Sequence, residues 1–143
     1  SREPLECGLV KAGEALVSVL GLETGDPVVS LRRRLRFDDK PVVVEDVYLP
    51  GDIFSGLDLE MLKAWEGSLY GLFETRFGVR MIRAEEKIRA VAADETAAGL
   101  LEVAEGTPLL LVERVAFSYG GKPVEWRRGL YSTAEYYYAN ELN

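Results

Sequence analysis

Histidine is missing from the 143 residues, and cysteine occurs once, at Cys7. Without imidazole the chain cannot assemble a serine–histidine or cysteine–histidine nucleophile pair, nor a zinc site that uses His. One thiol provides neither an internal disulfide nor a thiolate metal cluster, so no metal, no cofactor and no oxidising compartment is expected. Long apolar runs are absent as well: none approaches the ~18 residues that span a bilayer, and no signal-peptide pattern opens the chain. A cytoplasmic location is the expectation. Positive charge is scarce, with 17 Lys and Arg against 24 Asp and Glu and a formal net charge of -7. A chain of that balance has little with which to neutralise a phosphate backbone, so DNA binding by these residues alone is not expected.

The rest of the composition is that of a soluble globular protein, 48% apolar and 29% charged, and the length suits a single domain over residues 1–143 with one sizeable core. Leu5 to Val10 reads as a short strand. "AGEALVSVLGLETGD" puts Ala15, Leu16, Val19 and Leu20 on one helical face, with Gly21 as the stop. Pro27 opens a strand over Val28 to Phe37, and "DDK" turns the chain into a second strand from Pro41 to Leu49. "SLYGLFETRFG" spaces Leu69, Leu72, Phe73 and Phe77 helically between a Ser68 N-cap and a Gly78 stop. Met81 to Ala93 alternates as a strand, and Asp94 can cap a short helix in "DETAAGLLEVAEG". Leu109 to Tyr119 and Lys122 to Tyr131 form a hairpin about Gly120-Gly121. This order predicts an α+β fold, an antiparallel sheet carrying helices.

The stretch "SLRRRLRFDDKPVVVEDVYLP" is unusual for so acidic a chain, because it gathers four arginines on one apolar strand. Strand alternation sets Val29, Leu31, Arg33, Leu35 and Phe37 on one face and Ser30, Arg32, Arg34 and Arg36 on the other. On the following strand Glu45 falls where an apolar residue is expected. Two readings stand: a solvated face whose arginines pair with surface carboxylates, or an anion pocket built from guanidiniums. "GGKPVEWRRGLY" repeats the plan of turn, Lys-Pro-Val and a strand bearing a glutamate, which sets Glu125 and Tyr131 in parallel with Glu45. Two carboxylates and two arginines facing one cavity would suit a zwitterionic or polyhydroxylated anion.

Taken in order, "V-x-x-L-x-R-x-R…P-V…E…Y-L-P", "S-L-Y-x-L-x-E-x-x-F-G" and "G-T-P-L-L-x-V-x-R…G-x-P-V-E…Y" resemble the UTRA domain of GntR-type, HutC-like bacterial transcription regulators. The likeness runs from about Leu5 to Leu142. It implies a chorismate-lyase-like antiparallel sheet with flanking helices that binds a small effector. It also implies a homodimer and, in full-length relatives, a preceding winged helix-turn-helix that contacts DNA, for which this chain has no matching segment. The resemblance places the family's R-x-R on Arg34 and Arg36, which in relatives help grip the effector's anionic group. A hairpin turn one residue shorter than in many relatives keeps Arg32 a candidate. S-L-Y falls on Ser68, Leu69 and Tyr70, with Ser68 where a helix N-terminus could meet the same anion. Glu45, Glu125 and Tyr131 match positions that in sugar-phosphate-binding relatives contact the ligand's polar body. The tail departs from the family's "R-G-D-R-Y": here it reads "STAEYYY", and only Tyr136 keeps the aromatic position. The implied ligand is a phosphosugar, phosphonate or carboxylate. Two other functions fit the same fold: a chorismate-lyase-like enzyme acting on an aromatic carboxylate, and a ligand-free dimerisation module.

Overall fold

A computed structural model describes residues 1–139 and Glu141. Its ten main elements are β1 (Arg2–Lys11), α1 (Glu14–Leu20), β2 (Pro27–Phe37), β3 (Lys40–Pro50), α2 (Leu59–Ala64), α3 (Leu69–Phe77), β4 (Arg83–Ala92), α4 (Glu95–Leu101), β5 (Pro108–Phe117) and β6 (Pro123–Tyr131). The strands form a six-stranded sheet in the order β1-β2-β3-β6-β5-β4, with every neighbouring pair antiparallel. The α+β architecture expected from the sequence is present.

Local chemistry accounts for the boundaries. Asp38 and Asp39, with φ of 49° and 63°, make the two-residue turn from β2 to β3. A turn of that length needs left-handed backbone at both positions, and aspartate tolerates it. Ser68 Oγ accepts from Gly71 N–H at 3.0 Å and Asp94 Oδ1 accepts from Ala97 N–H at 2.8 Å, so both expected N-caps form. Gly21 and Gly78 end α1 and α3 in the left-handed conformation. α2 was not anticipated, because six residues are too few to show helical periodicity; its signal is the Asp58 cap, which accepts from Met61 N–H at 2.9 Å. The last hairpin turns through a short 3-10 segment, Tyr119–Gly121, in place of the two-residue Gly-Gly turn.

The two sheet faces carry different layers. α2 and α3 cover the first, where Val29, Leu31, Val47 and Leu49 meet Leu62, Leu72 and Phe73; Phe54 packs edge-on against Phe73 with ring centres 4.9 Å apart. α4 covers the second, where Val44 and Leu109 meet Ala97, Ala98 and Leu101. The first is the α3 face and the second the α4 face.

At the end of β3 the backbone approaches β2 closely. Gly51 N–H donates to the Pro27 carbonyl at 2.8 Å, and a Cβ on Gly51 would lie 2.6 Å from that oxygen. Gly51→Ala is therefore expected to cost about 1–3 kcal/mol, the range for forced overpacking, read as a lower urea midpoint with unchanged slope.

β1 is tied to β2 by charge. Glu3 accepts from Arg34 Nη2 at 3.2 Å and from Arg36 Nε. These hydrogen bonds, Arg34's first and then Arg36's, hold its carboxyl below the ordinary value of 4.5. A lowered folded-state value means the contribution is complete above about pH 4.5 and lost as pH falls through that lower value. The melting-temperature gap between wild type and Glu3→Gln should be widest near pH 6 and narrow toward pH 3; a gap independent of pH would contradict this role.

Candidate functional site

β2, β3, β5 and β4 each turn one charged side chain to the α3 face and β6 turns two, and together these form a chain of alternating sign. Arg33 Nε donates to Glu45 Oε2 at 2.6 Å. Arg127 Nη1 lies 3.8 Å from Glu45 Oε1, and Arg127 Nη2 donates to Glu125 Oε2 at 2.8 Å. Tyr70 of α3 donates to Glu125 Oε1 at 2.8 Å, and Arg114 Nη1 donates to the Tyr70 hydroxyl at 3.4 Å. Arg114 Nε donates to Glu86 Oε2 at 2.9 Å, and the Tyr138 hydroxyl donates to Glu86 Oε1 at 3.0 Å. Three guanidiniums thus alternate with three carboxylates. Register explains the order: Arg33 stands opposite Glu45, Glu45 opposite Gly129, Arg114 opposite Arg127 and Glu86 opposite Arg114.

Burial makes this chain energetically demanding. Arg33, Glu45 and Glu125 are 8%, 4% and 0% exposed, so each charge depends on its neighbours. Burial works against the Arg127 charge, but Glu125 first and then Glu45 outweigh it and its pKa is raised. Arg114 follows the same logic, with burial opposed by its hydrogen bonds to Tyr70 and Glu86. Burial, then the Glu125 charge, raises the Tyr70 phenol. Burial, then Glu45, pushes Tyr131 up to about 12. Both phenols stay protonated at neutral pH and can donate hydrogen bonds. Gly129 leaves room for the Tyr131 ring: a Cβ there would sit 2.8 Å from Tyr131 Cε1.

At the Arg33 end a cavity of about 510 Å³ opens between β2, the start of β1 and the α2–α3 connection. Arg2, Arg33, Arg36 and Lys63 line it, no carboxylate among the described residues does, and Trp65, Gly67 and Leu69 form the wall at the start of α3. Four cationic groups without a lining carboxylate can hold an anion, and the adjacent network offers donors and acceptors to a polar body.

The structure sorts the residues expected from sequence into two groups. Glu45, Tyr70 and Glu125 share the network, and Tyr131 lies on the same face. Ser68 is the N-cap of α3, and its neighbours Gly67 and Leu69 face the cavity. Arg34 is not with them. It points to the α4 face, where Nη1 donates to the Leu100 carbonyl at 3.0 Å and Nη2 to Glu3. Arg32 is on that face as well, paired with Asp46 at 2.7 Å. Arg36 reaches the cavity rim, but its Nε is held by Glu3 and its Nη1 donates to the Asp39 carbonyl at 2.8 Å. The guanidinium facing Glu45 is Arg33, which the alternation had placed on the mostly apolar face. For Arg32, Arg34 and Arg36 the reading as a face of carboxylate-paired arginines describes what is observed.

Arg33, Arg127, Arg114 and Glu86 were not singled out from sequence. Arg127 and Arg114 did carry a signal, as arginines inside the apolar strand runs "PVEWRRGLY" and "LLLVERVAF". Trp126 packs on Tyr48 with ring centres 5.4 Å apart. Phe54 is core, and Trp65 lines the cavity.

Comparison with known proteins agrees with this architecture. The model of the UTRA domain matches residues 1–137. A solved ligand-binding domain from Bordetella bronchiseptica, assigned to a GntR-family transcriptional regulator, superposes with a TM-score of 0.96 at 48% identity, covering 100% of this chain and 90% of that one. The effector domain of PhnF from Mycobacterium smegmatis gives 0.86 at 28% identity, over 99% and 86% of the two chains. Among curated sequences, the HTH-type transcriptional repressor PhnF of Mycolicibacterium smegmatis is 34% identical over 84% of this chain and 48% of its own length. An HTH-type transcriptional regulator of Mycobacterium tuberculosis is 31% identical over 86% of this chain and 54% of its own. The chain spans about half the length of the curated relatives it matches. With the family model matching nearly end to end, the chain belongs to the UTRA domain family.

Proposed function

We propose that residues 1–143 act as one effector-sensing domain of a GntR-family transcription regulator, binding a small anionic metabolite whose occupancy controls DNA binding through an N-terminal winged helix. The observation that carries the reading is the cavity lined by Arg2, Arg33, Arg36 and Lys63, with no carboxylate among the described residues of its walls, joined at Arg33 to a buried polar network. The anionic group, of a phosphosugar, phosphonate or carboxylate, lies against Arg33 and Arg36 beside the start of α3. Glu45, Tyr70, Glu125 and Tyr131 meet its hydroxyl or amine groups. Ligand entry draws Arg33 partly away from Glu45 and shifts the α2–α3 connection. Relatives named as regulators and repressors support sensing over the chorismate-lyase type of chemistry.

A thermal-shift panel of anionic metabolites followed by calorimetry tests this. Arg33→Gln alone strands a buried Glu45 and is expected to cost about 3–5 kcal/mol of stability. The uncharged pair Arg33→Gln with Glu45→Gln should recover most of that stability yet bind the best metabolite of the panel about 2–5 kcal/mol more weakly than wild type. Wild-type affinity in the folded double variant would refute the placement of the anion.

The resemblance to dimeric regulators also leads us to propose a homodimer. β1 and β4 are the sheet edges, and they expose Leu9 at 71% and Ile88 at 50%. Open edges with exposed apolar side chains invite pairing with a second copy. Light scattering should give about twice the chain mass of 15.9 kDa; a monomer at high protein concentration would contradict the proposal.

A further inference from the structure

The α4 face contains a second opening, with no side chain in common with the cavity above. α4 leaves a cleft of about 360 Å³ against β3, β5 and β6, within the ~300–1,000 Å³ typical of small-molecule sites. Val44, Leu100, Leu111 and Leu130 supply an apolar wall, and Arg32, Asp46, Asp94 and Arg128 supply the charges. Three of these four are engaged. Arg32 grips Asp46 with two contacts, at 2.7 and 3.5 Å, and Asp94 caps α4. Arg128 is the exception. Among the described residues it enters no ion pair, its Nε is buried without a hydrogen-bond partner, and its guanidinium lies 5.6 Å from the Trp126 ring centre. A buried donor left unsatisfied beside an open cleft is a position for an acceptor that the chain itself does not provide.

We propose that this cleft is a second ligand site, taking a small monocarboxylate with an apolar body. The carboxylate lies on the fork of Arg128, which can donate to both oxygens, within reach of the Thr96 hydroxyl at the rim. The body lies on Val44, Leu100, Leu111 and Leu130. Charge selects the class. Two arginines and two aspartates line the cleft, so the lining is formally neutral and the one uncommitted guanidinium matches one negative charge. A phosphate dianion would add a charge close to Asp46 and Asp94 with nothing to balance it.

The site stands apart from the proposed effector cavity, and amide chemical-shift mapping on the full chain separates the two. Titration with 3-methylbutanoate is expected to give saturable shifts at Asp46, Ala97 and Leu130. Its methyl ester and inorganic phosphate should leave those amides unmoved. Arg128→Gln should weaken binding at least tenfold. So should Thr96→Trp, which fills the mouth from an exposed position and serves if the first variant folds poorly. Shifts confined to Leu31, Arg33 and Leu69, unchanged affinity in both variants, equal binding of phosphate, or no saturable binding in the millimolar range would each overturn the proposal.

Discussion

The ion pair between Arg33 and Glu45 holds the α3 face together. Both side chains are almost fully buried, and neither could remain there alone. Once they are paired, the second Glu45 oxygen faces Arg127, whose charge then fixes Glu125, whose other oxygen takes the Tyr70 proton. The helix above the sheet is thereby located by a hydrogen bond to a sheet residue with no solvent exposure, in addition to the packing of Leu72 and Phe73. Such an arrangement has few alternatives of similar energy, because moving one member leaves another unpaired.

The opposite face uses different rules. The partners of its Arg34 and Arg36 come from close in space but far along the chain. Arg34 joins Glu3 on β1 to the carbonyl of Leu100 at the end of α4, so one side chain fastens the edge strand and the helix. Arg36 adds a contact to Glu102, 3.6 Å away, just past that helix. What resembles an arginine row awaiting a ligand is in large part the fastening of β1 and α4 to β2.

Much of the fold was legible because its signals are local. Caps at Ser68 and Asp94, stops at Gly21 and Gly78, and the Asp38-Asp39 turn all act within four residues. The site was less legible because its key relation, which arginine meets Glu45, depends on register. Regular pairing from the two-residue turn would set Arg32 against Glu45; the irregularity between Leu35 and Arg36, which leaves Val42 without a partner on β2, moves the register by one and brings Arg33 there. The family pattern points to Arg34 and Arg36 and a count back from the turn points to Arg32; neither contains the irregularity that selects Arg33. Glu3, Glu86 and Tyr138 join their clusters across 31, 28 and 52 residues, and no short-range pattern announces such contacts. α2 lay below the length at which periodicity speaks.

Adjacent residues serve opposite faces in the two central strands: Glu45 and Arg127 on one, Asp46 and Arg128 on the other. This arrangement constrains how the sequence can diverge. Inserting or deleting one residue within β3 or β6 would exchange the two sets, sending Asp46 or Arg128 into the α3 network and its former members out. Gains and losses of length are therefore confined to hairpin tips such as Asp38-Asp39 and Tyr119–Gly121, while the central strands can change only by substitution.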